Sequence, residues 1–211
     1  MMKNYLLKNF LLFTFLVASC QLFSQEAYFL AGSNFTKFVF KNSGETMGVQ
    51  LQSGTGSTYE MGYSIPFKNQ NIYYSVGITL NDYNALAGSP SESYEWDTKY
   101  IGVQNALSYN YSVSKDFQLA VKGGLNLSTM IYGKQNTNGA VYDLMGQNEF
   151  SGIFISPFAG IQTRYKLNDL GYLSLGYAFS KSLKPFDNST EKLSFNTNQI
   201  LFGIHFNINN K

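Results

Sequence analysis

Ile200-Leu201-Phe202-Gly203-Ile204-His205-Phe206-Asn207-Ile208 is the stretch that decides the fold. Ile200, Phe202, Ile204, Phe206 and Ile208 fall on one face of a period of two; Gly203, His205 and Asn207 fall on the other, and only Leu201 is out of place. Side chains on a strand point alternately to its two faces, so this reads as a strand with one apolar face. The pattern returns upstream. Thr58–Phe67 sets Tyr59, Met61, Tyr63, Ile65 and Phe67 against Thr58, Glu60, Gly62 and Ser64, and Ile72–Leu80 repeats it. Further strands are predicted at about 27–40, from Trp96 or Tyr100 to Tyr111, and at 117–128, 152–167 and 173–179, with Pro157 marking a bulge or a strand end.

The connectors carry the next step. Polar stretches 41–56, 82–95, 132–151 and 181–192 are long, whereas 68–71, 112–116 and 168–171 are short, and the two kinds alternate along the chain. Eight strands with this rhythm predict an all-β, eight-stranded antiparallel up-and-down transmembrane β-barrel, with short periplasmic turns, long outer loops and both termini periplasmic. Composition agrees: of 211 residues 13% are charged, against about 25% in soluble domains, while 17% are aromatic. Mean hydropathy is only -0.15, as expected when half of each strand faces a polar interior. A lipocalin-like barrel also alternates, but its polar face meets water and would carry many Lys and Glu; here that face is mostly Gly, Ser, Thr, Ala, Asn and Gln. Tyr and Phe near strand ends, with Trp96, are expected to form interfacial girdles.

Residues 1–25 read as a signal peptide and 26–211 as the barrel domain. Lys3 and Lys8 give a basic start, Phe10–Ala18 an apolar run, and Ser19–Gln25 a polar exit. Cleavage near Ser24 or Gln25 is favoured over lipidation at Cys20, where Val17-Ala18-Ser19 precedes the cysteine, because a barrel needs no acyl anchor. Cys20 is the only cysteine, so the mature chain has no disulfide framework. The formal charge is +2; without the two leader lysines the chain is balanced, which gives nucleic-acid binding no electrostatic support.

No catalytic motif of the G-x-S-x-G or HExxH type occurs, and no cofactor or metal is expected. His205 is the only histidine, with Asn207 where a lipid hydrolase of this architecture would carry serine two residues on. Glu60, Lys122 and Arg164 fall on predicted inner faces, and buried charges must be paired. A structural network in the lumen is therefore expected from Glu60, Lys122, Arg164, His205 and Gln162, with Gln104, Gln118 and Gln199 around it. Glu92, Glu95 and Asp97 lie close in sequence but lack a calcium-loop pattern, and read as a solvated acidic loop.

The L-F-S-Q-E-A junction, Ala31-Gly32-Ser33-Asn34-Phe35, the T-Y-E-M-G-Y-S-I-P-F strand at 58–67 and the aromatic-ended last strand resemble the Bacteroidota outer-membrane β-barrel family called porin-like, and more distantly the eight-stranded OmpA/OmpX type. The resemblance implies residence in the cell outer membrane, with outer-membrane lipid as the partner. It leaves several roles open: a non-enzymatic structural or surface-interaction protein acting through its four long loops, an accessory subunit docked on another outer-membrane protein, a narrow channel, or a lipid-modifying enzyme. The first is expected.

Overall fold

The computed structural model describes residues 25–42, 45–46, 51–67, 71–89, 92–185 and 191–208. The expected leader to Ser24, with Cys20, lies outside the described residues. Among the described residues eleven strands follow in order: β1 Gln25–Asn42, β2 Glu45–Thr46, β3 Leu51–Pro66, β4 Ile72–Asp82, β5 Ala85–Ser89, β6 Glu92–Ser112, β7 Phe117–Thr137, β8 Ala140–Asp143, β9 Ile153–Leu167, β10 Gly171–Ser182 and β11 Glu191–Ile208. Eight of them, β1, β3, β4, β6, β7, β9, β10 and β11, pair antiparallel in chain order, and β11 returns to β1 from Gln25↔Ile208 to Asn42↔Glu191. The ring is closed, so none of the eight is an edge strand.

Three short connectors define a turn end and the long ones a loop end. In the turn after β9, Asn168 adopts φ 52 and Gly171 φ 148, and a Cβ on Gly171 would lie 1.8 Å from the His205 carbonyl oxygen. Only glycine fits that close approach of β10 to β11.

The strands run further toward the loop end than the sequence predicts. The Gly- and Ser-rich stretches read as loops are partly strand: β3 begins at Leu51, β7 continues to Thr137, and β5 takes the place of β4 between β3 and β6 after a break at Tyr83-Asn84. Low intrinsic strand preference is overridden there by cross-strand pairing, on one side for Leu51–Ser53 and on both for β5. Pro157 causes no bulge; it sits mid-strand opposite Leu125. Ile155 exchanges both backbone bonds with Leu183, so Pro157, two residues on, also faces β10 but has no N–H to donate, and the continuous β9–β10 ladder ends beside it at Phe158↔Ser180.

At one level near the loop end the polarity of the sheet inverts. Below it the outward face is apolar and exposed: Phe29 and Phe35 on β1, Ile78 and Leu80 on β4, Ile101 and Val103 on β6, Leu175 and Phe179 on β10, Ile200 and Phe202 on β11. The inward face there is polar. Above it Lys37, Asp82, Asp97, Lys99, Lys181 and Asn196 point outward, while Phe38, Tyr83, Trp96, Tyr100, Leu193 and Phe195 turn in and are buried. The apolar outward run from Tyr59 on β3 to Phe67, just past its end, covers about 27 Å, roughly 20 Å along the barrel axis for strands tilted by ~40°.

The inward residues at the loop end form an apolar cluster of Phe38, Tyr83, Trp96, Tyr100, Met130, Leu144, Phe150, Phe154, Leu193 and Phe195, with ring centroids such as Phe154–Phe195 at 4.9 Å and Tyr83–Phe195 at 5.0 Å. Trp96 is only 7% exposed and packs inside against Phe38, so it is not the girdle residue the sequence suggested. The alternation continues through Trp96, but on this side of the inversion the large side chains belong to the inner face. The β7–β9 connection closes the cluster from above with Leu144 and Phe150. Ile131 is left unpaired where the β6–β7 register shifts at Lys99/Tyr100, which turns Gly133 inward. A Cβ there would meet Met130 Sδ at 2.6 Å and Leu144 Cβ at 3.0 Å.

Candidate functional site

The chemistry-bearing side chains lie in the lumen between this cluster and the turn end. Inward positions of β1, β3, β7, β9, β10 and β11 bring them together because each strand contributes every second residue.

Nearest the turn end, Arg164 Nη2 donates to both carboxylate oxygens of Glu26, at 2.8 and 2.7 Å, with both side chains about 5% exposed. His205 Nδ1 lies 3.5 Å from Glu26 Oε2, and its other ring nitrogen is 3.0 Å from Ser174 Oγ. Gln162 Nε2 donates to Ser174 Oγ at 2.7 Å. The Arg164 guanidinium also lies 4.2 Å from the centroid of Tyr172, whose ring covers it. A second group sits deeper: the Tyr28 hydroxyl donates to Glu60 Oε1 at 2.6 Å, and Lys122 Nζ donates to the same oxygen at 2.9 Å. Tyr28 joins the two groups, since its ring is 5.7 Å from that of His205 and 5.3 Å from Lys122 Nζ. Above them a neutral layer continues, with Gln199 Nε2 donating to Asn34 Oδ1 at 2.8 Å, Thr58 donating to Asn81 at 2.7 Å, and Asn126 donating to Thr79 at 3.1 Å.

The five lumen residues named from the sequence all point inward, but they form two ion-pair groups rather than one. Sequence reasoning missed Glu26 and Ser174. Glu26 stands at the expected leader junction, ahead of the predicted first strand, and without it Arg164 would lack its carboxylate. Ser174 reaches His205 only through the β10–β11 register, in which Tyr172 faces His205 and Ser174 faces Gly203. Asn207 is at the rim, where its amide donates to the Asp169 carbonyl at 3.3 Å.

Ser174, His205 and Glu26 stand in the order of a nucleophile, base and orienting acid. Their surroundings are those of a packed interior. All three are buried, Glu26 is held by Arg164, and the adjoining cavity of about 30 Å³ has room for a water or two and for no acyl chain. Two further lumen cavities measure about 30 and 10 Å³. Among the described residues no group of three or more His, Cys, Asp or Glu could hold a metal ion. Asp97 and Glu95 point outward from β6, with Asp97 opposite Lys134 rather than in a loop.

No protein-family profile matches the sequence, and no curated protein does. The fold is similar to that of neisserial surface protein A, at 13% identity and a TM-score of 0.50 over 85% of this chain and 97% of that one. It is equally similar to the outer membrane protein OprG from Pseudomonas aeruginosa, at 13% identity and TM-score 0.50 over 87% and 96% of the two chains. The outer membrane protease OmpT from Escherichia coli matches at 8% identity and TM-score 0.50 over 89% and 98%. The architecture is thus that of the outer-membrane up-and-down β-barrels. Proteins as different as a protease and a surface protein share it, so it carries no single activity.

Proposed function

We propose that the chain is a non-enzymatic integral protein of the outer membrane, a closed barrel whose role is structural or is exercised through the surface at its loop end. The observation that carries this reading is the inversion of polarity. A continuous belt of exposed Phe, Tyr, Leu, Ile and Val around a ring with a polar interior is stable only where hydrocarbon, not water, meets that belt. Above the belt the same strands change to the water-soluble arrangement and stand clear of the bilayer. The turn end, with both strand termini Gln25 and Ile208, would then face the periplasm. The leader junction and the strand at 58–67, which resemble Bacteroidota outer-membrane proteins, support the same compartment.

The interior argues against conduction and catalysis alike. A water path would have to cross the aromatic cluster, and a substrate bound for Ser174 and His205 would have to enter a cavity the size of a water molecule. Full-length protein inserted in planar bilayers is expected to give no steps above baseline at moderate voltage. Stable unitary conductance from the purified barrel would replace the closed reading with a channel.

A further inference from the structure

At the level where the outward face turns polar, the lysines fall into two kinds. Lys99 donates to Asp82 at 2.9 Å, and Lys134 lies opposite Asp97 on one side and Asp143 on the other. Lys37 and Lys181 have no such neighbour. Both are exposed, both stand directly opposite Asn196, one from β1 and one from β10, and neither makes an ion pair among the described residues. Adjacent strands are about 4.8 Å apart, so the two backbones flank Asn196 at roughly 10 Å separation. A flexible lysine stem spans roughly 6 Å, enough for both ammonium groups to close on one anion above the asparagine.

Directly beneath this bracket the surface is apolar. Phe35 and Phe179 stand on either side of Asn198, whose side-chain oxygen accepts a bond from the Tyr177 hydroxyl at 2.5 Å, and Ile200 and Phe202 continue downward. Two cations with no ion pair among the described residues, over an exposed apolar surface at the edge of the belt, match one kind of molecule: an anionic headgroup with acyl chains below it. We propose that Lys37, Lys181 and Asn196 bind the phosphate of a lipid in the leaflet that meets the loop end. This deepens the membrane reading and rests on it. The seam between β1 and β11, where the ring closes, is thereby a lipid-binding face.

The test uses full-length protein extracted from membranes in mild detergent, offered phosphatidylglycerol or phosphatidylcholine, with bound lipid counted by native mass spectrometry. Wild type is expected to retain phosphatidylglycerol roughly 10-fold better, since each basic side chain at an anionic lipid surface contributes severalfold. The Lys37→Gln/Lys181→Gln double variant should fall to the phosphatidylcholine level. Lys115→Gln, at the turn end, should match wild type, and 10 mM inorganic phosphate should not displace the lipid. Retention by the double variant equal to wild type, or displacement by free phosphate, would overturn the site while leaving the barrel in the membrane. A chain that stays in the aqueous phase and never enters vesicles would overturn the membrane reading and this site together. Circular dichroism of each variant, with unchanged strand signal expected, separates lost binding from lost folding.

Discussion

The two halves of the barrel interior are filled by opposite means. Toward the turn end the filling is directional: Arg164 with Glu26, Lys122 and Tyr28 with Glu60, Ser174 with His205, each group placed by its partner. Toward the loop end it is apolar packing of rings and aliphatic side chains around Phe195, with few polar atoms to satisfy. The outside inverts in step. Where the exterior is greasy, a second greasy face would leave the strand with no reason to choose a side, and a polar interior fixes which face is in. Where the exterior is polar, the usual water-soluble rule returns, and an apolar interior does the same work. One continuous strand such as β6 obeys both rules, with Gln104 and Asn110 inside below and Trp96 and Tyr100 inside above.

The sharpest way to break this comparison is to remove a partner from the directional half. Glu26→Ala strands the Arg164 guanidinium and is expected to destabilise the barrel by about 3–5 kcal/mol, whereas Glu26→Leu with Arg164→Leu should recover most of the loss. Urea midpoints in detergent read both; an additive double variant would mean the pair is not coupled. In the packed half, Phe195→Ala leaves a cavity among Tyr83, Tyr100 and Phe154 and should cost about 3–4 kcal/mol, with no rescue from any charge change. Outside, Ile78→Lys puts a cation in the apolar belt and should cost about 2–4 kcal/mol, while Glu95→Lys, above the inversion, should move the midpoint by less than about 0.5 kcal/mol. Equal costs would place the water boundary elsewhere. The smallest effect is at Asn105, an outward polar residue inside the belt that accepts the Tyr74 hydroxyl at 2.6 Å. Asn105→Ala should cost about 1 kcal/mol, and adding Tyr74→Phe should remove the penalty.

Alternation made most of the ring legible, because a period of two survives whichever face is greasy. The polar lumen was legible too, since Glu60, Lys122 and Arg164 stand out on faces otherwise made of small residues. The period says nothing about where along a strand the outward face turns from apolar to polar, and this is why the sequence puts Trp96 outside. The loop-end strands β5 and β8 are hidden for other reasons: Ala85–Ser89 has little strand preference and owes its form to the neighbours it pairs with, and Ala140–Asp143 is only four residues long inside a Gly- and Asn-rich stretch. Asn105 and Pro157 read as misfits, and each is answered by a neighbour the sequence does not name, a tyrosine hydroxyl for one and an interrupted ladder for the other.

The closing pair, β1 with β11, joins the earliest described residues to the last ones. Such a contact spans nearly the whole chain, so its loop-closure entropy must be met before the ring gains anything from it. Until Ile200–Ile208 arrives, Gln25–Asn42 has one neighbour too few and seven strands amount to an open sheet with two adhesive margins. Ring closure therefore waits on the final strand, which acts as the latch on every earlier pairing.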